Sequence, residues 1–393
     1  MLLDLNMNAW YNWILCVFLL ILGIFFLVKF SDIFVGGSAS LAKKLHISPM
    51  IIGLTVVAFG TSCPELAVSV GDSISCLIEG GNANVAMGNI VGSNTCNLFI
   101  VLGFSAVFTP IVIKKSVCKK EYPILIGVSV LFAIFTLCFG LNNDGINTYA
   151  ILRWEGIILI IGIILYVLYL VWSNKKNKGI TSEGEEIEEM SILKSIVFVI
   201  LGAAGIVAGG EAVVYGAKNI AYGIGSAANL NHDLVEALVG LTIVAVGTSL
   251  PELVTSIVAA KKGQNDIALG NVIGSNIFNI LFVIGIASTV NPLTVGNQIW
   301  VDITVMLIAT VLVFVFAIFG RINKAGGFIL LISYVIYLVY LIIRTVSGKD
   351  ITWALSVMFA LYAIMIIYVL INGLIHKQKK EGVGYTYFFE VIE

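Results

Sequence analysis

The chain has 393 residues, of which 59% are hydrophobic and only 11% are charged. A soluble domain carries roughly 45–50% apolar and about 25% charged residues, so these charges are too few to cover a soluble surface. The formal net charge of −1 excludes the strongly basic surface expected of a nucleic-acid-binding protein. We therefore expect a protein whose main environment is the lipid bilayer, with no nucleic-acid partner and no evident need for a protein partner.

Hydrophobic stretches near twenty residues, the length that crosses a bilayer, predict eleven transmembrane helices. The predicted spans cover residues 13–42, 49–75, 85–108, 122–141, 151–172, 192–221, 234–260, 266–290, 298–320, 326–345 and 352–374. The sequence thus predicts an all-α polytopic membrane protein.

Basic residues fall mostly on one side of this topology. When successive loops are assigned to alternate sides, 18 Lys and Arg residues lie on one side and 4 on the other. Cytoplasmic loops carry an excess of such residues. We therefore predict a multi-pass protein of the cytoplasmic membrane with its N-terminus outside and its C-terminus in the cytoplasm.

The two halves of the chain carry the same motifs. Residues 60–66 read GTSCPEL and residues 247–253 read GTSLPEL, while MGNIVGSNTCNL at 87–98 matches LGNVIGSNIFNI at 269–280. Each half holds five predicted spans, an odd number, so the second copy enters the membrane from the opposite face. Inverted repeats of this kind are typical of secondary transporters, whose binding sites lie near the bilayer midplane.

The repeat defines the predicted domain organisation. Its parts are a first five-helix repeat (1–173), an acidic cytoplasmic linker (174–191), a second, inverted five-helix repeat (192–346), and an extra transmembrane helix with a cytoplasmic tail (347–393). We considered a packing scaffold without transport, but a scaffold does not need repeated carboxylates in the membrane.

Glu65 and Glu252 occupy matching positions near the middle of the second and seventh predicted spans. An ionisable side chain at that depth costs several kcal/mol unless it is paired or protonated, and it marks function by default. The matching spans contain no Lys, Arg or His that could neutralise these acids. We therefore expect protons or bound cations to balance them.

A proline precedes each glutamate and predicts a break in its helix. Pro64 and Pro251 lack the N–H that would bond to the carbonyl four residues earlier, at Gly60 and Gly247. Broken backbone at membrane depth is tolerated where it is buried or lines an aqueous cavity. The hydroxyl groups beside the two predicted breaks belong to Thr61, Ser62, Thr248 and Ser249.

The repeated donors are all hard oxygen ligands. Such donors suit Ca²⁺ or Na⁺ and do not suit Zn²⁺ or Cu⁺, which prefer Cys and His. Two ionised glutamates carry a charge of −2, which one Ca²⁺ or two Na⁺ neutralise. Competition of the two ions for one pocket is the physical basis of exchange, and two protons in place of sodium remain an alternative.

The second motif adds further amide and hydroxyl groups. Serine and asparagine stand four residues apart in each copy, so the pair shares one helix face. The polar residues of this motif are Asn89, Ser93, Asn97, Asn271, Ser275 and Asn279.

Three further acids are open to two interpretations. Asp32 and Glu211 are repeated and could serve gating or anchoring. Asp72 lies two helical turns beyond Glu65, yet Ala259 stands at the matching position of the second half. We expect Asp72 to be an interfacial acid, with a role in an ion vestibule as the alternative.

On these two motifs, each present twice, the sequence resembles the cation/Ca²⁺ exchanger superfamily and specifically the prokaryotic Na⁺/Ca²⁺ exchangers. The resemblance covers roughly residues 13–346 and implies a ten-helix core with alternating access by sliding of the long first and sixth helices. It implies that Glu65 and Glu252, with the backbone at Thr61 and Thr248, bind Ca²⁺. It further implies Na⁺ sites formed with Ser62, Ser93, Ser249 and Ser275, and a central position flanked by Asn97 and Asn279.

The chain departs from the family pattern at three places. The eleventh predicted helix is extra, the linker is too short for the large regulatory domain of animal exchangers, and Asn279 replaces the aspartate of the K⁺-dependent subgroup. The amide lacks that negative charge, which argues against K⁺ co-transport.

The sequence therefore predicts an antiporter that exchanges Na⁺ for Ca²⁺ and extrudes Ca²⁺, without a cofactor. A Ca²⁺/H⁺ antiporter is the main alternative, a cation channel is a second, and an intramembrane enzyme is the least favoured.

Overall fold

The structure is a computed structural model, and it describes residues 9–79, 84–138, 140–143, 146–176, 190–228, 245–295, 299–347 and 352–380. Its helices are α1 (Trp10–Leu45), α2 (Pro49–Ile52), α3 (Ala58–Thr61), α4 (Cys63–Glu79), α5 (Asn84–Cys96), α6 (Leu102–Phe108), α7 (Lys115–Cys138), α8 (Arg153–Lys176), α9 (Ile192–Ala227), α10 (Ala245–Thr248), α11 (Leu250–Lys261), α12 (Asn265–Phe278), α13 (Gly285–Val290), α14 (Ile299–Ile318), α15 (Lys324–Ser347) and α16 (Thr352–Lys380). Three π-helical turns join α2 to α3, α5 to α6 and α12 to α13, at Gly53–Val57, Asn97–Val101 and Asn279–Ile284.

The predicted polytopic helical fold is confirmed. Within the described ranges, nine helices are long and apolar enough to cross a membrane, and a tenth span results if the bent pair Pro49–Thr61 and Cys63–Ile78 is one. The predicted seventh span begins at residue 234, and residues 229–244 lie outside the description, as does most of the predicted linker 174–191.

Short strands in the connecting segments are an addition to the all-α prediction. β1 (Ile111–Val112) pairs antiparallel with β5 (Arg321–Ile322). A second sheet has the order β2-β3-β4, formed by Gly140–Asn143, Ile146–Ile151 and Leu293–Val295. Both sheets join a connector of the first half to one of the second half, and such distant pairing leaves no recognisable pattern in segments this short.

Both predicted breaks before the glutamates are confirmed. Ser62 has φ −83° and ψ 7°, outside helical values, and the helices on either side of it are bent by 49°. Ser249 has φ −88° and ψ 2° at the same place in the second half. The missing N–H of the following prolines explains why the helix does not continue through these residues.

The two longest helices, α1 and α9, pack against each other along their length and run antiparallel. A Cβ atom at Gly23 would lie 2.7 Å from the Gly209 carbonyl oxygen, and one at Gly216 would lie 2.7 Å from the Cys16 carbonyl oxygen. The helices therefore approach backbone to backbone, as small residues permit in membranes. This antiparallel pairing of matching helices is the geometry of an inverted repeat.

The core separates into a large and a small hydrophobic cluster. The small cluster joins α1 and α9 to parts of α2, α11 and α12, and it includes Phe34, Ile206 and Ala259. The large cluster holds the helices around the glutamates together with α7, α8 and α14 to α16. The α1–α9 pair thus packs on the core through its own apolar surface.

We predict that Gly23→Ala destabilises the protein, because its new Cβ would meet the backbone of α9. Overpacking of this kind costs about 1–3 kcal/mol. Thermal unfolding of the full-length protein in detergent should show a lower midpoint.

Gly127→Ala is the matched control. Gly127 is exposed on α7, and a Cβ atom there would meet no described atom within 4 Å. Alanine favours a helix by about 1 kcal/mol over glycine, so this midpoint should not fall. An unchanged midpoint for Gly23→Ala would contradict the close packing.

Candidate ion-binding site

Glu65 and Glu252 are fully buried, each with 0% exposure. Each stands in the first turn of the helix that follows its break, α4 or α11. The positive end of a helix dipole stabilises a negative charge at that position. Ser62, which lies in the break just before Glu65, hydrogen-bonds to Glu252, so the folded chain brings the predicted acids of both halves together.

Hydroxyl groups from both repeats surround Glu252. The Ser62 hydroxyl donates a hydrogen bond of 3.2 Å to Glu252 Oε1, across 190 residues of sequence. Thr61 and Ser275 also place their hydroxyl groups beside this carboxyl group, with 3.5 Å between their own oxygens. The first-half break therefore contributes donors directly to the glutamate of the second half.

Several buried polar atoms of this cluster have no hydrogen-bond partner among the described residues. They are both carboxylate oxygens of Glu65, Oε2 of Glu252, Oγ of Ser249, both polar side-chain atoms of Asn97 and Oδ1 of Asn279. A buried carboxylate without a partner is costly, because burial removes its hydration without replacing it. A bound cation would satisfy these oxygens and offset the negative charge.

Two symmetry-related hydrogen bonds connect the breaks to the second motif of the opposite half. The Thr61 hydroxyl donates to Asn271 Oδ1 at 3.1 Å, and the Thr248 hydroxyl donates to Asn89 Oδ1 at 3.4 Å. Each bond joins one repeat to the other. The two repeats are therefore joined by hydrogen bonds at the site, and not only by the strand pairs of their connectors.

The same asparagines also bond within their own repeats. Asn89 Nδ2 donates to Ser69 Oγ at 3.0 Å, and Asn271 Nδ2 donates to Ser256 Oγ at 3.0 Å. Asn89 Nδ2 additionally donates to the Glu65 carbonyl oxygen at 3.3 Å. These bonds fix each motif helix against the helix that carries the glutamate.

Asn94 forms a further bridge between the repeats. Asn279 Nδ2 donates to Asn94 Oδ1 at 3.0 Å, and Asn94 Nδ2 donates to the Asn276 carbonyl oxygen at 3.2 Å. Asn279 Nδ2 also approaches Ser93 Oγ at 3.5 Å. Asn97 and Asn279 each begin a π-helical turn, a feature that is frequent at functional sites.

The ten residues predicted from sequence are all at least nine-tenths buried, and the contacts above join most of them into one network. Ser249 lies at the second break with 1% exposure. The prediction omitted Asn94, which bridges the repeats, and Ser69 and Ser256, which bond within them. Their signal was present in the sequence, since each has an identical residue at the repeat offset, but an identical serine in a helix does not by itself reveal its partner.

Asp72 and Asp32 lie outside this network. Asp72 Oδ2 accepts a hydrogen bond of 3.1 Å from the Ala86 amide at the start of α5, which agrees with an interfacial acid. Asp32 pairs with Lys262 at 2.8 Å and so ties α1 to the end of α11. That contact favours anchoring for Asp32 in the conformation described.

Comparison with known proteins identifies the family. The model of the family described as sodium/calcium exchanger protein matches residues 15–173 and 194–343, which is most of the chain. The chain belongs to the sodium/calcium exchanger family. The predicted family is thereby confirmed, and the matched region ends before α16.

Relatives and a solved structure agree with this assignment. The sodium/calcium exchanger MaX1 of Methanosarcina acetivorans is 33% identical over 353 residues, covering 82% of this chain and 97% of that protein. The putative antiporter CaxA of Alkalimonas amylolytica is 34% identical, with 82% and 96% covered. The sodium-calcium exchanger NCX_Mj, in a structure soaked with Na⁺ and Sr²⁺, superposes with a TM-score of 0.66 at 32% identity, covering 83% of this chain and 98% of that one.

We predict that Ca²⁺ raises the thermal unfolding midpoint of the full-length protein in detergent. A ligand that binds only the folded state stabilises it by about 2.7 kcal/mol at a concentration of one hundred times Kd. The Glu65→Gln variant should lose this Ca²⁺-dependent shift, because an amide carries no charge to hold the ion.

The Asp72→Asn variant is the control for this measurement. Its amide oxygen can still accept the hydrogen bond from Ala86, and the residue lies outside the network around Glu65. This variant should keep the full Ca²⁺ shift. A Ca²⁺ shift that survives in Glu65→Gln would show that the ion binds elsewhere.

Proposed function

We propose that this exchanger-family protein carries Na⁺ and Ca²⁺ in opposite directions across the cytoplasmic membrane and extrudes Ca²⁺. The observation that carries the proposal is the pair of fully buried carboxylates, Glu65 and Glu252, one from each inverted repeat. Three of their four oxygens have no hydrogen-bond partner among the described residues. Membership of the sodium/calcium exchanger family supports the choice of ions.

The charge of the pair explains how transport would be coupled. One Ca²⁺ neutralises two carboxylates, and so do two Na⁺, so either cargo restores neutrality in the buried pocket. Occupancy by both cargoes at once would leave an uncompensated positive charge in a low-dielectric region. Mutually exclusive binding converts a Na⁺ gradient into movement of Ca²⁺ in the opposite direction.

We assign the ligands by the chemistry of their atoms. Ca²⁺ takes six to eight oxygens, so the two carboxylates need further neutral donors. In our proposal Glu65 and Glu252, with the backbone at Thr61 and Thr248, bind Ca²⁺. The hydroxyls of the Na⁺ sites are those of Ser62, Ser93, Ser249 and Ser275, and the amides of Asn97 and Asn279 flank the central position.

Alternating access, in this proposal, uses the α1–α9 pair. These helices pack lengthwise on each other and meet the ion-binding helices through a separate apolar cluster. The apolar part of this contact can slide without breaking directional bonds, whereas the Asp32–Lys262 ion pair and the 3.1 Å hydrogen bond between Ser31 and Thr255 would have to break. Movement of the pair across the core would open the site first to one side of the membrane and then to the other.

We further propose that the N-terminus lies outside and the C-terminus in the cytoplasm, following the distribution of basic residues in the loops. Lys114 and Lys262, which pair with Asp266 and Asp32, fall on the lysine-rich side. The proposed activity is transport alone, with no chemical step. In our proposal it requires no cofactor and no protein partner.

Reconstitution into proteoliposomes tests the counter-ion. An outwardly directed Na⁺ gradient should drive uptake of radioactive Ca²⁺, and collapsing that gradient with a Na⁺ ionophore should stop it. A pH gradient in sodium-free buffer should drive none. Uptake driven by the pH gradient would instead establish a Ca²⁺/H⁺ antiporter, and Ca²⁺ flux without any counter-ion would establish a channel.

Substitution tests the ligands in the same assay. Glu65→Gln and Glu252→Gln each halve the negative charge of the pocket, so we expect Ca²⁺ uptake to fall to background. Asp72→Asn should transport at the wild-type rate. Wild-type uptake in either glutamine variant would refute the assignment of the two carboxylates.

A further inference from the structure

The extra helix α16 lies against the core through one face. Ala354, Met358, Tyr362 and Val369 are buried along that face, at spacings of one to two helical turns. Residues on the opposite face, such as Ile364 and Tyr368, are more than half exposed, as suits contact with lipid tails. The helix is therefore a fixed part of the folded protein, although the family match ends at residue 343.

Tyr362 is the residue through which α16 reaches the interior. It is 1% exposed, and its hydroxyl donates a hydrogen bond of 2.8 Å to the Ser333 carbonyl oxygen on α15. Its ring packs on Phe99, with 6.0 Å between ring centroids and an interplanar angle of 37°. The hydrogen bond fixes the Tyr362 ring against α15, and in this position the ring contacts Phe99.

Phe99 belongs to the π-helical turn Asn97–Val101, which begins with a residue of the proposed ion site. A π-helical turn is a rare and less regular form of helix, so packing around it sets the direction of its side chains. Both polar side-chain atoms of Asn97 are buried without a hydrogen-bond partner among the described residues. No described hydrogen bond therefore fixes the Asn97 amide, and its placement depends on the packing of the turn.

The matching turn of the second repeat has a different residue at the position of Phe99. At the repeat offset Leu281 replaces Phe99, and Leu281 packs on Gly162 of α8, where a Cβ atom would lie 3.2 Å from its Cδ2. The last span of each repeat thus packs on the turn of the other repeat, α8 on the second turn and α15 on the first, and the extra helix adds Tyr362 to the first turn. Tyr362 and Phe99 form a contact that the inverted repeat does not require.

We propose that Tyr362 is a positioning residue for the ion site. By packing on Phe99 it holds the turn that presents Asn97, so that the extra helix sets the affinity for Ca²⁺. This inference rests on the proposed function, and it adds a role for α16 in that same site.

The test is the Ca²⁺ dependence of Na⁺-driven uptake by the full-length protein in proteoliposomes. Tyr362→Ala should raise the KM for Ca²⁺ by about two- to tenfold, the range that corresponds to one aromatic pair. Tyr362→Phe keeps the ring contact and should leave KM unchanged, while its lost hydrogen bond lowers the thermal midpoint. Tyr368→Ala, on the exposed face of α16, should change neither quantity.

A double-mutant cycle separates positioning from general loosening. Phe99→Leu, which installs the residue of the second repeat, should raise KM in the same range as Tyr362→Ala. Because both changes remove one contact, the double variant should have a KM no higher than the larger single effect. Multiplying effects, or a wild-type KM in Tyr362→Ala, would overturn the inference.

Two further outcomes are informative. If Tyr362→Ala does not yield folded protein, Phe99→Leu alone decides the question, and an unchanged KM in that variant overturns the inference. Failure of the proposed function is recognised separately, because the unsubstituted protein would then show no Na⁺-driven Ca²⁺ uptake, whereas failure of this inference leaves that uptake intact.

Discussion

The structure depends on the burial of two carboxylates that protein groups satisfy only in part. Ser62 donates a hydrogen bond to Glu252, whereas both oxygens of Glu65 have no such partner within the described residues. A single cationic side chain beside them would form a stable ion pair and leave no reason for an ion to bind. Because the protein leaves this negative charge incompletely balanced, binding of a mobile cation stabilises the folded state.

The inverted repeat supplies the geometry that this charge requires. Each break ends one helix and begins another beside a glutamate, so polar backbone and carboxylate meet at the same depth. Hydrogen bonds then cross between the repeats, as in the Thr61–Asn271 and Thr248–Asn89 pairs. Because each repeat completes the polar contacts of the other, neither half would form the site alone.

The two repeats are not equivalent in detail. In the conformation described, Glu252 accepts a hydrogen bond from the opposite repeat, and Glu65 does not. The π-helical turn of the first repeat packs against α15 and also meets Tyr362 of the extra helix, whereas that of the second packs against α8. A symmetric scaffold with unequal contacts gives the two halves of one ion site different environments.

Much of this protein was determined by the sequence alone. Composition and span length specify a polytopic membrane protein, and the repeated motifs specify the inversion, the helix breaks and the paired acids. These features depend on a residue's own segment and not on distant partners. A proline breaks the helix that contains it, and a glutamate in the middle of an apolar span enters the membrane with that span. The family followed from the same motifs.

Only the tertiary structure decided which atoms meet. The Ser62–Glu252 bond joins residues 190 positions apart, the strands pair connectors of opposite halves, and Tyr362 reaches Phe99 from a helix beyond the repeat. The sequence gives no register for such contacts, because side-chain partners across packed helices depend on rotation and depth in the membrane. Close glycine packing and directional hydrogen bonds set that rotation and depth, and they exist only once the helices are assembled.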